Sequence, residues 1–410
     1  MWNHSEDAGE SDAEEKKRFA AICAFIICSA LLSGCATLDN FKSAFLESEA
    51  ANYDVVRIGV FEPLSGRDKK HGELELRGIK LANELFPTVI GKKVELVYAD
   101  NKSDMDMAAA AAKELVEKKV SVVLGSYGST LSLAGGEYFT EARIPAIAIT
   151  ATNPLVTSSS DYYFRACFVE SFQGVALAKY VVEQMGTSTA AIFRDAEDDY
   201  AAAVSQTFSD KMVQLTADEN AIVKVVEYTS AQKDFKPQLQ QIKESGASFV
   251  LLAGKNKDAI RIMAQAKEAG IRLTFLGTDK WQSQSFLDEG GTALDGAVFS
   301  TYFDPQASIT ENTEVFLKAY REKYGEDAEP PAEAALGFDA YLLALNAINA
   351  AGTSVDGAAI RDQLAATKNF PGASGNITFD ENGDPIKSVS IQTIINGDIF
   401  HIYTVEPTWQ

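Results

Sequence analysis

Cysteine and histidine are scarce in this sequence, four and three respectively among 410 residues. Cys23, Cys28 and Cys35 lie near the start, so the body of the chain keeps only Cys167 and has no intramolecular disulfide. Its stability must come from an apolar core, in which Cys167 is expected as a small buried hydrophobe. One cysteine with His71 and His401 does not make a usual zinc site, and no metal is expected. Neither histidine lies near a G-x-S-x-G elbow, so a serine hydrolase lacks its parts. A P-loop and a G-x-G-x-x-G after a strand are also missing, and no cofactor is implied. Asp380 to Asp384 lacks the spacing and terminal glutamate of a calcium loop and reads as a turn. Positive charge is short as well. With 37 basic against 58 acidic residues, the net charge is −21 and the pI is near 4.6. That balance excludes nucleic acid as a partner and adhesion to anionic lipid by charge. A membrane link must then be covalent or apolar.

The first residues contain such a link. Lys16-Lys17-Arg18 precedes an uncharged apolar run, Phe19 to Leu32, followed by Ser33-Gly34-Cys35. The run is too short to cross a hydrocarbon core of roughly 30 Å comfortably, but it suits the apolar region of a secretory signal. Leu32-Ser33-Gly34-Cys35 resembles the lipobox of bacterial lipoprotein signal peptides, which implies cleavage before Cys35 and a lipid on its thiol. A plain signal anchor is the alternative, and the acidic stretch Ser5 to Glu15 departs from the signal-peptide pattern. Residues 1–34 are then a leader and 35–53 a tether. Ala36 to Tyr53 carries no strong strand or core pattern and, fully extended, spans roughly 60 Å.

From Asp54 onward strands and helices alternate. Val55 to Phe61, Lys93 to Ala99, Val120 to Leu124 and Pro145 to Ile149 read as strands, separated by helices at Gly72 to Phe86 and Met105 to Lys118. A second run begins with a helix at Phe172 to Met185 and continues to a strand, Leu273 to Gly277, that ends at Thr278-Asp279. Alternation of this kind calls for an α/β fold of two doubly wound parallel-sheet lobes. Helices at Glu311 to Tyr324, Ala332 to Ala351 and Val355 to Ala366 fit best as a return to the first lobe. Asn396-Gly397-Asp398 is a strong hairpin signal between two closing β runs.

The stretch Val122 to Pro154 reads as half of a ligand site. A buried strand breaks at Gly125-Ser126-Tyr127-Gly128 and a helix follows, which puts Ser129 at or near a helix N-terminus. Free backbone N–H groups and the helix dipole make that position a seat for a carboxylate or phosphate. The next strand delivers Thr150 and Thr152 to the same carboxyl edge, along which open α/β sheets bind ligands. The plainer readings are that Ser129 caps its helix and the threonines cap a turn.

Seven landmarks in order carry a family resemblance: IGVFEPLSG at 58–66 followed by Gly72, RGIKLANE at 77–84, VVLGSYGST at 122–130, IPAIAITATNP at 144–154, YFRACFVESFQG at 163–174, FLGTDKW at 275–281 and GFDAYLLALNAI at 337–348. The chain after Tyr53 resembles type I periplasmic binding proteins of the branched-chain amino acid branch. That resemblance implies lobes at 54–171 plus 302–385 and 172–301 plus 386–410, joined by three crossovers near 171, 302 and 386, with the ligand between them. It places a carboxylate contact on Ser129 and contacts to the ligand's carboxylate and ammonium on Thr150 and Thr152. The acid that neutralises the ammonium falls on Asp279. His71 and Tyr200 fall on aromatic positions that close over the ligand from opposite lobes. For Asp279 a helix cap, and for His71 a surface histidine, are the alternatives. Tyr127 and Trp281 are near enough in sequence to line the pocket or to belong to the core. Glu170, and Lys255 or Asn256, depart from the family pattern and leave the ligand's side chain open.

The implied function is an extracytoplasmic, membrane-anchored solute receptor of an ABC importer. Its expected partners are an amino acid or similar zwitterion, permease subunits with their ATPases, and the membrane through Cys35, with the body a monomer. A ligand-sensing receptor without a transport role is a second reading, and an enzyme of the same fold a third.

Overall fold

Apolar strands alternating with amphipathic helices build two separate sheets in the computed structural model, which describes residues 55–307 and 310–406. The leader, Cys35 and the tether lie outside the described residues. The first sheet has the order β2-β3-β1-β4-β5-β6, from β1 (Val55–Glu62), β2 (Thr88–Val89), β3 (Lys92–Asp100), β4 (Val122–Gly125), β5 (Ala146–Ala148) and β6 (Tyr163–Arg165). Pairs β1/β4, β4/β5 and β5/β6 are parallel. Every residue of β1 from Ile58 to Glu62 is buried, as a central strand covered on both faces requires. The helices between these strands are α1 (Lys69–Leu85), α2 (Met105–Glu117), α3 (Ser129–Glu141) and the single turn α4 (Leu155–Ser158).

The second sheet has the order β16-β15-β11-β10-β9-β7-β8. It comprises β7 (Ala190–Asp195), β8 (Ile222–Tyr228), β9 (Phe249–Ala253), β10 (Thr274–Gly277) and β11 (Val298–Thr301), all parallel. The helices of this half are α5 (Glu170–Lys179), α6 (Asp199–Thr216), α7 (Lys236–Ser245), α8 (Asn256–Glu268) and α9 (Gln284–Gly290). Next come α10 (Glu311–Tyr324), α11 (Ala332–Ala351) and α12 (Gly357–Ala365), a small sheet of β12 (Phe370–Gly372), β13 (Gly375–Phe379) and β14 (Pro385–Ile386), and the hairpin β15 (Val389–Ile395) and β16 (Asp398–Val405). The hairpin joins the second sheet antiparallel to β11, and Ile395 pairs with Asp398 across the turn that Asn396-Gly397 predicted.

The chain therefore passes between the sheets three times: after β6, after β11 and after β14. α11 returns to the first sheet, as expected from its position in the sequence. It is long and apolar enough to cross a membrane, but most of it is buried; a helix apolar on all sides is a core helix here. It crosses α1 at glycine contacts, because a Cβ on Gly78 would collide with the Ala334 carbonyl and one on Gly337 with that of Glu75. The small sheet, β2 and α4 were not anticipated, and their short runs explain why. α1 also starts one turn before the expected Gly72.

Candidate functional site

Two loops at the carboxyl edge of the first sheet carry the expected anion contacts. Ser129 is the first residue of α3, behind Gly128 at φ 83°. Its hydroxyl does not cap its own helix but accepts from the Asn153 N–H at 3.1 Å. Ser129 thus ties the β4–α3 loop to the loop after β5, which holds Thr150 and Thr152. The Thr152 hydroxyl donates to Glu170 Oε2 at 3.2 Å, and the Glu170 N–H donates back to the Thr152 carbonyl at 3.2 Å. Burial raises the Glu170 carboxyl above its usual range, against the Thr152 bond and the Lys280 charge. The Thr150 hydroxyl donates to Glu75, so its side chain turns into the first lobe.

Asp279 follows β10, at the carboxyl edge of the second sheet. It opens a short 3-10 turn, Asp279–Trp281, whereas the cap of α9 is Ser283. The helix-cap alternative for Asp279 does not hold. Tyr200, in the first turn of α6, donates its hydroxyl to Asp279 Oδ1 at 3.1 Å. Gln173 of α5 donates to the Tyr200 hydroxyl at 2.8 Å and accepts the Asp279 N–H at 3.1 Å and the Ser300 hydroxyl at 3.0 Å. Lys280 Nζ lies 3.6 Å over the Tyr200 ring, a cation–π distance. Burial pushes the Asp279 carboxyl up, opposed by Lys280 and by hydrogen bonds from Gln173 and Tyr200. A half-buried acid raised in this way is stabilised by an incoming cation.

His71 and Tyr127 form one stack, centroids 4.5 Å apart and planes 7° from parallel. His71 Nδ1 stands 3.6 Å from Glu333 Oε1. Tyr127 is partly exposed, and the charges of Glu75 and Asp279 both act on its hydroxyl, which burial raises first of all. The open choice for Trp281 resolves differently. It is 2% exposed and stacks on Phe286 at 5.3 Å, inside the apolar core beneath the second sheet. Its three-residue turn faces Asp279 toward Tyr200 and sends Trp281 the other way, so Trp281 is corrected from pocket wall to core packing. Cys167 is buried, as expected, and its thiol is pushed up to about 12.

Several residues of this region escaped the sequence reading. Arg165, 0% exposed, pairs with Asp384 at 2.6 Å and donates to the carbonyls of Ala151 and Asn153 at 2.8 and 2.9 Å. It therefore fixes the backbone on both sides of Thr152. Asp384 belongs to the Asp380 to Asp384 stretch, which forms the turn between β13 and β14. Glu62, at the end of β1, accepts the Tyr127 N–H at 3.0 Å. Glu75 lies in the apolar stripe Gly72, Glu75, Leu76, Ile79 of α1, and an acid in such a stripe is the signal that was available.

The residues expected at the ligand thus lie on two loops at the carboxyl edge of the first sheet and on Asp279 at that of the second. A profile of the periplasmic binding protein family matches residues 55–398, and the chain belongs to that family. A curated relative, Leu/Ile/Val-binding protein homolog 2 of Brucella abortus, is 26% identical over 334 residues, 80% of this chain and 87% of that one. Among solved structures, a leucine-binding protein of Thermotoga maritima is similar at 34% identity and a TM-score of 0.75, covering 86% of this chain and 99% of its own. The branched-chain amino acid transporter substrate-binding protein of Streptococcus pneumoniae, solved with isoleucine, is similar at 29% identity and a TM-score of 0.73, over 86% and 100% of the two chains.

Proposed function

We propose that this protein is the lipid-anchored, extracytoplasmic solute receptor of an ABC importer, and that it binds a small α-amino acid between its two lobes. The lobes are residues 54–171 plus 302–385 and 172–301 plus 386–410, carried by a tether at 35–53 behind a lipid on Cys35. The ligand carboxylate sits at Ser129 and Thr152 by the N-terminus of α3. Its ammonium sits at the Thr150 carbonyl and Asp279, and His71, Tyr127 and Tyr200 close over it. The observation that carries this reading is Asp279, held by Tyr200 and Gln173 and raised by burial. An acid gives no advantage to a simple carboxylate ligand, but it offsets the desolvation of an ammonium. The names of the similar proteins support an apolar side chain. Binding favours the closed arrangement because both lobes touch the ligand only there, and the permease reads that shape. The body acts as a monomer that captures and releases its ligand unchanged.

Calorimetry of the purified protein with leucine and isoleucine tests the reading. Asp279→Ala should weaken binding by roughly 2 to 5 kcal/mol, about thirtyfold to several thousandfold. Indifference to that change, or tighter binding of deaminated analogues, would move the ligand class to organic acids or neutral solutes.

A further inference from the structure

Glu62 and Glu75 are both 0% exposed, and among the described residues neither has an ion-pair partner. Each places one oxygen on a ligand-bearing loop: Glu62 Oε2 accepts the Tyr127 N–H at 3.0 Å, and Glu75 Oε1 accepts the Thr150 hydroxyl. The remaining oxygens, Glu62 Oε1 and Glu75 Oε2, have no hydrogen-bond donor, and the two carboxyls stand against each other. Two carboxylates have no hydrogen to offer each other, so oxygens placed this way can bond only if one of the pair is a carboxylic acid. The pair is also fitted to the backbone: at Gly125, φ 113°, a Cβ would collide with Glu62 Oε1 and the Phe61 carbonyl, so glycine there lets β4 turn over the acid.

We propose that Glu62 and Glu75 are positioning residues that share a proton and, through it, hold the Tyr127 and Thr150 loops in ligand-binding geometry, so that loss of the last proton weakens ligand capture. The inference rests on the amino-acid reading of the cleft for its ligand, but not for the shared proton.

Burial raises Glu75 to about 7 and holds Glu62 well above its usual range, the charge of Glu75 adding to burial for Glu62. The other groups facing the pair are Glu333 of α11, which raises Glu75, and His71 of α1, which lowers it. Tyr127, and Tyr163 of β6, also feel the charge of Glu75. As pH rises the pair goes from two protons to one, and only at higher pH to none. One proton suffices for every bond described. With none, two buried anions face each other with no ion-pair partner among the described residues, and the loops they anchor must part.

Glu62→Gln replaces the shared proton by a permanent amide N–H, while its amide oxygen can still accept from Tyr127. The expected result is leucine affinity within about threefold of wild type at neutral pH. On the alkaline side wild-type affinity should fall at least about tenfold further than that of Glu62→Gln, the titration of the ligand's own amine being common to both. Without ligand, infrared spectra at neutral pH should show a protonated carboxyl stretch in wild type that Glu62→Gln lacks. The folded state holds a proton on Glu75 that the unfolded chain releases between about 4.5 and about 7, so wild-type stability should also fall as pH rises through that window. Parallel pH profiles of affinity in the two proteins, or a wild type without the infrared band, would overturn the proposal. A wild type that shows the band but does not bind leucine upholds the shared proton and overturns the ligand reading instead. If Glu62→Gln does not fold, Glu75→Gln makes the same comparison from the other side of the pair.

Discussion

Asp339 and Glu75 are both fully buried acids on helices that cross each other, but Asp339 faces a cation and Glu75 faces another acid. Asp339 accepts the N–H groups of Ala373 and Ser374 and the Ser374 hydroxyl. Lys387, 1% exposed, donates to the same hydroxyl. Burial lowers Lys387 to about 8, with the Asp339 charge opposing the shift. The hydrogen bonds of that network run to the third crossover and the small sheet. Among the described residues the Glu62–Glu75 pair has no ion-pair partner, and its outward bonds run to the two loops that carry Ser129, Thr150 and Thr152. A buried charge with its partner holds structure; on our proposal, the buried acid that faces a like charge has a second task, at the loops it bonds.

The largest effect expected from breaking this contrast is at Lys387. Lys387→Met leaves Asp339 buried without a cation and should cost about 3–5 kcal/mol in denaturant unfolding at neutral pH. Asp339→Asn in the same chain should recover much of that loss, because the uncompensated charge is gone. Glu62→Gln removes no charge pairing and should change stability by less than about 1 kcal/mol. Comparable losses for Lys387→Met and Glu62→Gln would abolish the distinction between the two networks.

Sequence and structure agree where the signal is periodic. α10 and α11 occupy Glu311–Tyr324 and Ala332–Ala351, as the apolar spacing places them, and the hairpin forms at the Asn-Gly turn. Ser129 was legible at a helix start because Gly128 breaks the chain just before it. The supports of the site were not legible, because they join residues distant in sequence. Arg165 meets Asp384 only after β6 and the small sheet have been brought together, and Gln173 reaches Asp279 from another crossover. Glu62 and Glu75 each broke a local rule, an acid ending an apolar strand and an acid in an apolar stripe. That they break it together is a tertiary fact. Trp281 shows the converse, since nearness in sequence to Asp279 said nothing about which side of a three-residue turn it would leave.

A smaller effect is expected at Thr150. Thr150→Val keeps the shape and removes the hydroxyl that donates to Glu75 Oε1, leaving a buried acceptor unpaired at a cost of about 1–3 kcal/mol. That bond lowers the Glu75 pKa, so its loss should let Glu75 keep its proton to higher pH. The carboxyl stretch in the infrared should persist further into the alkaline range. A stable Thr150→Val protein with an unmoved titration would detach Thr150 from the pair.

The smallest effect belongs to His71, which touches the acid pair by field alone. Its ring stacks on Tyr127, and its side chain is 42% exposed while that of Glu333 is 20% exposed. At 3.6 Å the two come within ion-pair distance when the ring is protonated, without a hydrogen bond. Such a partly exposed pair contributes little, and His71→Phe retains the stack, so the loss of stability should stay below about 0.5 kcal/mol. The charge of His71 does lower Glu75. Removing it should therefore raise the Glu75 titration, and the folded state should keep its excess proton to higher pH. The fall of melting temperature with rising pH would then set in at a higher pH than in wild type, over the range in which the wild-type ring is charged. The shift should be smaller than that from Thr150→Val, because a screened charge at the mouth acts more weakly than a direct hydrogen bond inside. If His71→Phe moved the titration more than Thr150→Val, the pair would answer to the mouth of the cleft rather than to the loop it supports.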